Sequence, residues 1–290
     1  MRIASFVSSF LAGLLFLACT QVSPFLQEAS ALYNLETGQA LTPARAQKAA
    51  GLYGTLQDSL FQSAQSISFV RISPSAYSLD ILSGEGGDAD STSALCLRSK
   101  AIAGINGSYF NMRALTPVTY IKDDGIVMGS TTRGEYFRTN GTLFLSQDGL
   151  AIDASDTTAT LPEGELWWEA IASGPILLDE GETVEYQEGI PGWSGFYNRR
   201  HPRSLVGTDA EGFLWLVVVD GRAPGQADGM TISELTALAR RMGLTDALNL
   251  DGGGSSTLWT RQAGVINHPS DNRRFDHEGQ RIVPNVVAVR

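Results

Sequence analysis

The stretch Ala247-Leu-Asn-Leu-Asp-Gly-Gly-Gly-Ser-Ser-Thr-Leu258 decides how this chain is read. Ala247 to Leu250 is apolar apart from Asn249 and reads as a strand. Ser256 to Thr260 reads as a strand leading away. Between them lie Asp251, three glycines, Ser255 and Ser256. Three consecutive glycines remove every Cβ from the turn, so the backbone can take positive φ and another group can approach it closely. Successive N–H groups in such a turn can form a nest for an anion. Asp251 adds a carboxylate at the strand end, and Ser255 and Ser256 add hydroxyls. A plain glycine-rich hairpin has the same local composition. A Walker loop is excluded, because no Gly-Lys-Ser/Thr follows.

Other strand ends carry similar chemistry. Ala101 to Asn106 is an apolar run tipped by Asn106-Gly-Ser-Tyr-Phe110. Ser173-Gly-Pro175 follows Ala170-Ile-Ala172. His201-Pro-Arg203 precedes the strand Ser204 to Thr208, where the Arg203 guanidinium could clamp a phosphate on two donors. Phe213 to Val219 reads as a buried strand ending in Asp220-Gly-Arg222. Each segment also has a purely structural reading, as a turn, a hairpin or a surface ion pair.

The rest of the chain is strand-rich. Ile67 to Ser73 and Tyr77 to Leu82 alternate apolar and polar residues. Thr231 to Met242 carries an apolar stripe at helical spacing, with Thr231 or Ser233 as cap and Gly243 as terminator. Ser91 to Lys100 reads as a short helix. Upstream, Thr42-Pro43 looks like a helix start. Ala46, Ala49, Ala50, Tyr53, Leu56, Leu60 and Phe61 fit one helical face. The expected fold class is therefore α+β (mixed α/β), strand-rich, with a small N-terminal helical appendage. The expected organisation is a signal peptide with lipobox over 1–19, a tether and helical appendage over 20–66, and the main domain over 67–290.

Composition sets outer limits. The chain has 290 residues, 43% hydrophobic and 18% charged, with a formal net charge of −10. That balance, with no basic run, argues against nucleic acid as a partner. An anionic substrate would need a local cationic pocket. Arg2 followed by an apolar stretch to Ala18 has the shape of an export signal. Phe16-Leu-Ala-Cys19 resembles a bacterial lipobox, which makes Cys19 the expected lipidation site and a lipid anchor the only expected membrane contact. Cys96, in an apolar context, reads as a buried thiol. The histidines lack metal-ligand spacing, so no metal site and no cofactor is expected. Asp271, Asn272 and Asp276 could ligate a hard cation or form a solvated loop. Trp193-Ser-Gly-Phe-Tyr197 reads as an aromatic pocket wall.

Taken together and in order, these segments resemble the phosphodiester glycosidase family. The matching segments are Ala103 to Phe110, Ser173 to Pro175, His201 to Gly207, Val218 to Arg222, Gly229 to Leu235, Ala247 to Leu258 and Arg281 to Val287. Ser108 stands where the family more often has glycine. The resemblance implies a compact α/β domain hydrolysing a sugar–phosphate diester. Carried onto this chain, it implies that Arg203, Arg222 and the Gly252, Gly253, Gly254, Ser255 and Ser256 backbone hold the phosphodiester. Asp251 and Asp220 would be the carboxylate pair. Asn106 and Asn249 would bind sugar hydroxyls or orient the carboxylates, and Ser173 would bind the substrate or its phosphate. The expected function is hydrolysis of a sugar-1-phosphodiester in the bacterial cell envelope. The alternative is a non-catalytic envelope protein that binds carbohydrate or phosphate.

Overall fold

A computed structural model describes residues 22–83, 89–146, 149–154, 167–185 and 193–290. The expected signal peptide and Cys19 lie outside these residues. Among the described residues three large antiparallel sheets and two two-stranded ones build the molecule. The largest has eight strands, in the spatial order Ala31–Asn34, Gly51–Leu60, Ser63–Ile72, Leu214–Val219, Arg203–Asp209, Leu244–Asn249, Ile176–Asp179 and Glu182–Thr183. A second sheet holds Ile121–Asp123, Ile126–Gly129, Gly141–Leu145, Leu150–Ala154 and Glu169–Ser173. A third holds Leu79–Ser83, Ala103–Asn106, Leu258–Thr260, Gly264–Val265 and Asn285–Val289. Every ladder in the three sheets is antiparallel, so the class is α+β and the parallel α/β form is not realised.

The strand Leu214–Val219 shows why the large sheet is central. All six of its side chains are buried. Trp215, Val217 and Val219 face a core shared with the helix Ile232–Met242. Leu214, Leu216 and Val218 face a second core shared with the two smaller sheets. A strand covered on both faces reads as a continuous apolar run. Each such side chain contributes about 1.5–3 kcal/mol on burial.

The helix Ile232–Met242 begins at Thr231, whose hydroxyl accepts from the Glu234 N–H. The Glu234 carboxylate returns to the Thr231 N–H, completing a capping box, and Gly243 closes the helix at φ 82°. The short helix Thr92–Arg98 starts from Ser91 as its cap. Among the described residues no helix is long and apolar enough to cross a membrane.

The helical appendage expected over 20–66 is not formed. Among the described residues only Pro24–Glu28 and Pro43–Ala46 are helical there. Gly51–Leu60 and Ser63–Ile72 are instead paired strands inside the large sheet. Helical spacing was overridden by sheet packing. A Cβ at Gly54 would meet the Ala31 carbonyl at 2.5 Å, so glycine there admits the neighbouring strand. The connecting turn is Phe61-Gln62, both at positive φ, without the Asn-Gly signature that marks such hairpins. The boundary expected at residue 66 therefore falls inside the strand Ser63–Ile72.

Candidate active site

The strand Leu244–Asn249 ends at Leu250-Asp251 and turns through a single 3₁₀ turn, Gly253–Ser255. The backbone of this turn is tied down from several sides. Leu250 N–H donates to Ser204, Asp251 N–H to Gly107, and Gly253 N–H to Pro202, at 2.8, 3.1 and 2.9 Å. Gly252 N–H donates to the Asp251 carboxylate at 3.0 Å. Ser255 and Ser256 N–H groups bond to Gly252 and Gly253 carbonyls. The N–H groups of Gly252, Gly253, Ser255 and Ser256 are thus engaged within the protein and are not available together as a nest for an anion.

The glycines serve close approach instead. A Cβ on Gly252 would lie 2.6 Å from the Pro202 carbonyl oxygen. One on Gly253 would lie 2.9 Å from Arg222 Nη2, and one on Gly254 would collide with Arg281 and Asp271. The bare turn thus lets arginines from distant segments reach Asp251. They meet around a pocket of about 290 Å3, whose lining includes Arg138, Arg203, Arg222, Arg281 and Asp251.

Each guanidinium is anchored. Arg138 is paired with Glu135 at 2.5 Å and lies 3.6 Å over the Tyr109 ring. Arg281 is held by Asp271, at 3.0 Å from its Nε. Arg222 has a left-handed backbone, φ 63°, and reaches Ser270 Oγ at 3.4 Å. Arg203 is buried and donates to the carbonyls of Met230 and Phe196 at 2.9 and 2.6 Å. Two of its donor nitrogens are therefore committed to carbonyls, which suits it to fixing the pocket wall. Phe196 and Gly195 from the expected aromatic segment line the same pocket.

Asp251 is the carboxylate of this pocket, partly open to solvent. Burial raises its proton affinity above the ordinary carboxylate range. Ser255, Arg138, Arg281 and the Gly252 N–H pull the other way. Ser255 Oγ lies beside the carboxylate without completing a well-formed hydrogen bond. A carboxylate tuned upward in a cationic cleft is the arrangement proton transfer requires. His201, whose ring nitrogen meets the Gly195 carbonyl at 3.0 Å, has its pKa lowered by burial and by Arg203, Arg222 and Arg199. It is neutral at pH 7.

Several expected site residues sit elsewhere. Asp220 is 1% exposed and does not line the pocket. Its carboxylate accepts from Ser66 Oγ, Asn267 Nδ2 and the His268 N–H at 2.8, 3.0 and 2.8 Å, and meets His268 Nδ1 at 2.9 Å. It pins the 267–268 segment to the large sheet, while Asp251 alone of the expected carboxylate pair is in the pocket lining. Asn106 is fully buried. Its amide donates to the Asp251 carbonyl at 2.7 Å, and its oxygen accepts from Ser204 and the Thr257 N–H. It positions the turn and does not line the pocket. Asn249 is buried likewise, donating to Gly174, Leu250 and Tyr109. Ser173 and Ser256 are buried outside the pocket lining. Asp271, a candidate for a hard cation in the sequence, holds Arg281.

Sequence reasoning passed over Arg138 and Arg281 as site residues. Arg281 opens the tail segment that matched the family, and that was the available signal. Nothing in the local sequence around Arg138 marks it.

Comparisons with known proteins bear on this site. The family model for phosphodiester glycosidases matches residues 99–290, which includes the whole pocket lining. The chain is 29% identical over 176 residues to the Mus musculus N-acetylglucosamine-1-phosphodiester alpha-N-acetylglucosaminidase, covering 58% of this chain and 33% of that protein. It is 24% identical over 193 residues to the SPbeta prophage-derived protein YomE of Bacillus subtilis, covering 61% of this chain and 27% of that protein. The chain thus spans about a third or less of the length of these relatives. Among solved structures, the catalytic domain of the zebrafish N-acetylglucosamine-1-phosphodiester alpha-N-acetylglucosaminidase, auto-inhibited by its pro-peptide, has the same fold. The TM-score is 0.66 at 20% identity, with 82% of each chain covered. A Synechocystis protein has a TM-score of 0.62 at 15% identity, covering 83% of this chain and 62% of that one.

Proposed function

Because the chain belongs to the phosphodiester glycosidase family, we propose that it hydrolyses a sugar-1-phosphodiester in the pocket around Asp251. The observation that carries this reading is the convergence of Arg138, Arg222 and Arg281 on one carboxylate of raised proton affinity. A phosphodiester brings one negative charge, and rupture of the anomeric C–O bond adds a second to the departing phosphate. Guanidinium groups fixed by Glu135, Ser270 and Asp271 stabilise that growing charge without having to reorganise. Asp251 takes a proton from the attacking water as its oxygen bonds to the anomeric carbon. The electron pair of the broken bond goes to the phosphate oxygen. A phosphate leaves as an anion, so no second carboxyl is needed to protonate it, in contrast to ordinary glycosidases.

We place this activity outside the cytoplasm, in the bacterial cell envelope, on the export signal and lipobox pattern of residues 2–19. Metabolic labelling with palmitate, compared with Cys19→Ala, tests the anchor. The test of the chemistry is Asp251→Asn, assayed on a sugar-1-phosphodiester with product identification. The folded variant should lose at least about 10²-fold in kcat. Turnover at the wild-type rate rejects the role.

A further inference from the structure

A second cleft, of about 980 Å3, opens at the other end of the strands that lead to the pocket. The strand Glu169–Ser173 begins with Glu169 in the cleft wall. It ends at Ser173, next to Gly174, whose carbonyl is held by Asn249 just behind the Asp251 turn. Gly141–Leu145 likewise puts Leu145 in the cleft wall. Four residue steps along such a strand span roughly 13 Å. The cleft shares no lining residue with the arginine pocket.

Its lining differs in kind from that pocket. Trp168 is 48% exposed, and its ring lies against Gly125, where a Cβ would come within 3.4 Å. Tyr77 is fixed by a hydrogen bond from its hydroxyl to Glu36 at 2.9 Å and by contact with Gly51. Asp80, Asp124 and Glu169 supply carboxyl groups, and Ser146 a hydroxyl. Among the described residues no lysine or arginine lines the cleft. The Asp80 charge is answered by Arg290 at 2.6 Å.

We propose that this cleft binds a neutral or amino-bearing oligosaccharide, with Trp168 as the stacking platform and Asp124 and Ser146 as partners for its hydroxyl or amino groups. Sugar rings present an apolar C–H face to an aromatic ring and hydroxyls around their edge. An exposed indole beside carboxylates matches both. The charge of Asp124, which no cation among the described lining residues answers, turns anionic glycans away. Burial, with Asp80 and Asp123 adding to it, pushes the Glu169 carboxyl up to about 8. At neutral pH it therefore carries a proton, engaged with Asp80, and adds no negative charge to the cleft.

The test is isothermal titration of the full chain with chitohexaose, cellohexaose and a chitosan hexamer, and with a hyaluronan hexamer as the anionic arm. At least one of the first three should bind, and hyaluronan should not. Trp168→Ala should weaken binding by about tenfold or more. Ser75→Arg, an exposed lining position, should weaken it by filling the cleft. Matched thermal unfolding of both variants confirms that they are folded. Absence of binding by all three, equal binding of hyaluronan, or full binding by folded Trp168→Ala would overturn the proposal. Hydrolysis in the arginine pocket is measured separately, so either reading can fail alone.

Discussion

Gly253 and Arg222 are fitted to each other across two distant segments. Both have left-handed backbones, φ 65° and 63°, and a Cβ on Gly253 would sit 2.9 Å from Arg222 Nη2. Left-handed backbone at a non-glycine residue is uncommon and gathers at functional sites. Gly253→Ala should therefore act twice. It should cost about 1–2 kcal/mol of stability through the backbone alone, read from denaturant midpoints. It should also displace the Arg222 guanidinium, raising KM for the phosphodiester more than it lowers kcat. A variant with unchanged KM would show that the turn does not set the arginine.

Arg281 presents its charge to the pocket while held by Asp271, and Arg203 is committed to carbonyls. These two arginines should fail differently. Arg281→Ala should weaken phosphodiester binding by roughly 2 kcal/mol, the usual size for a charge-assisted hydrogen bond. It should also relieve inhibition by inorganic phosphate, with little change in unfolding midpoint. Arg203→Ala should instead destabilise the fold, because it removes a buried guanidinium that ties together the carbonyls of Met230, Phe196 and Arg199. Equal losses of stability in the two variants would contradict this division.

How far the sequence reached follows the range of the interactions involved. The helix Ile232–Met242 was readable because its cap, apolar stripe and terminator lie within thirteen residues. Leu214–Val219 was readable because burial on both faces leaves an unbroken apolar run. Gly51–Leu60 misled because its spacing fits a helix, while the strand form depends on Ala31, Phe69 and Tyr77 packed against its glycines. The turn at Gly252 to Gly254 was located correctly, yet its purpose was not legible. Whether a glycine serves an anion or a neighbouring arginine depends on what approaches it. Arg138 and Arg281 are separated by more than a hundred residues, and no spacing rule announces their meeting.

Asp220 tests the distinction between a carboxylate that reacts and one that holds. Its hydrogen bonds with Ser66, Asn267 and His268 are internal to the protein. Asp220→Ala leaves these donors buried without an acceptor, at a cost of roughly 3 kcal/mol. Urea unfolding should show that loss at unchanged m-value. Asp220→Asn, which keeps the shape and one acceptor, should retain at least about tenfold more kcat than Asp251→Asn. An equal collapse of kcat in folded Asp220→Asn would return Asp220 to the chemistry.

Glu169 offers a prediction in pH. It bridges two sheets by accepting a hydrogen bond from the Ile81 N–H on the strand Leu79–Ser83, an edge of the third sheet. Asp123 does the same for the Ser83 N–H at 2.9 Å. Burial is the largest influence on Glu169, and the nearby Asp80 and Asp123 charges add to it, against the Ile81 N–H. The carboxyl is raised from 4.5 to about 8. A raised carboxyl means that the folded state keeps a proton the unfolded chain has lost. Between pH 4.5 and about 8 the folded form binds more protons, so stability falls as pH rises through that window and levels off above it. Gln at this position keeps an acceptor for Ile81 and never ionises. Glu169→Gln should match the wild-type melting temperature near pH 4.5, exceed it progressively up to about pH 8, and hold a constant advantage beyond. Parallel melting curves across this range, or a variant less stable at pH 8, would mean that Glu169 is ionised in the folded protein and that its charge is part of the joint between the sheets.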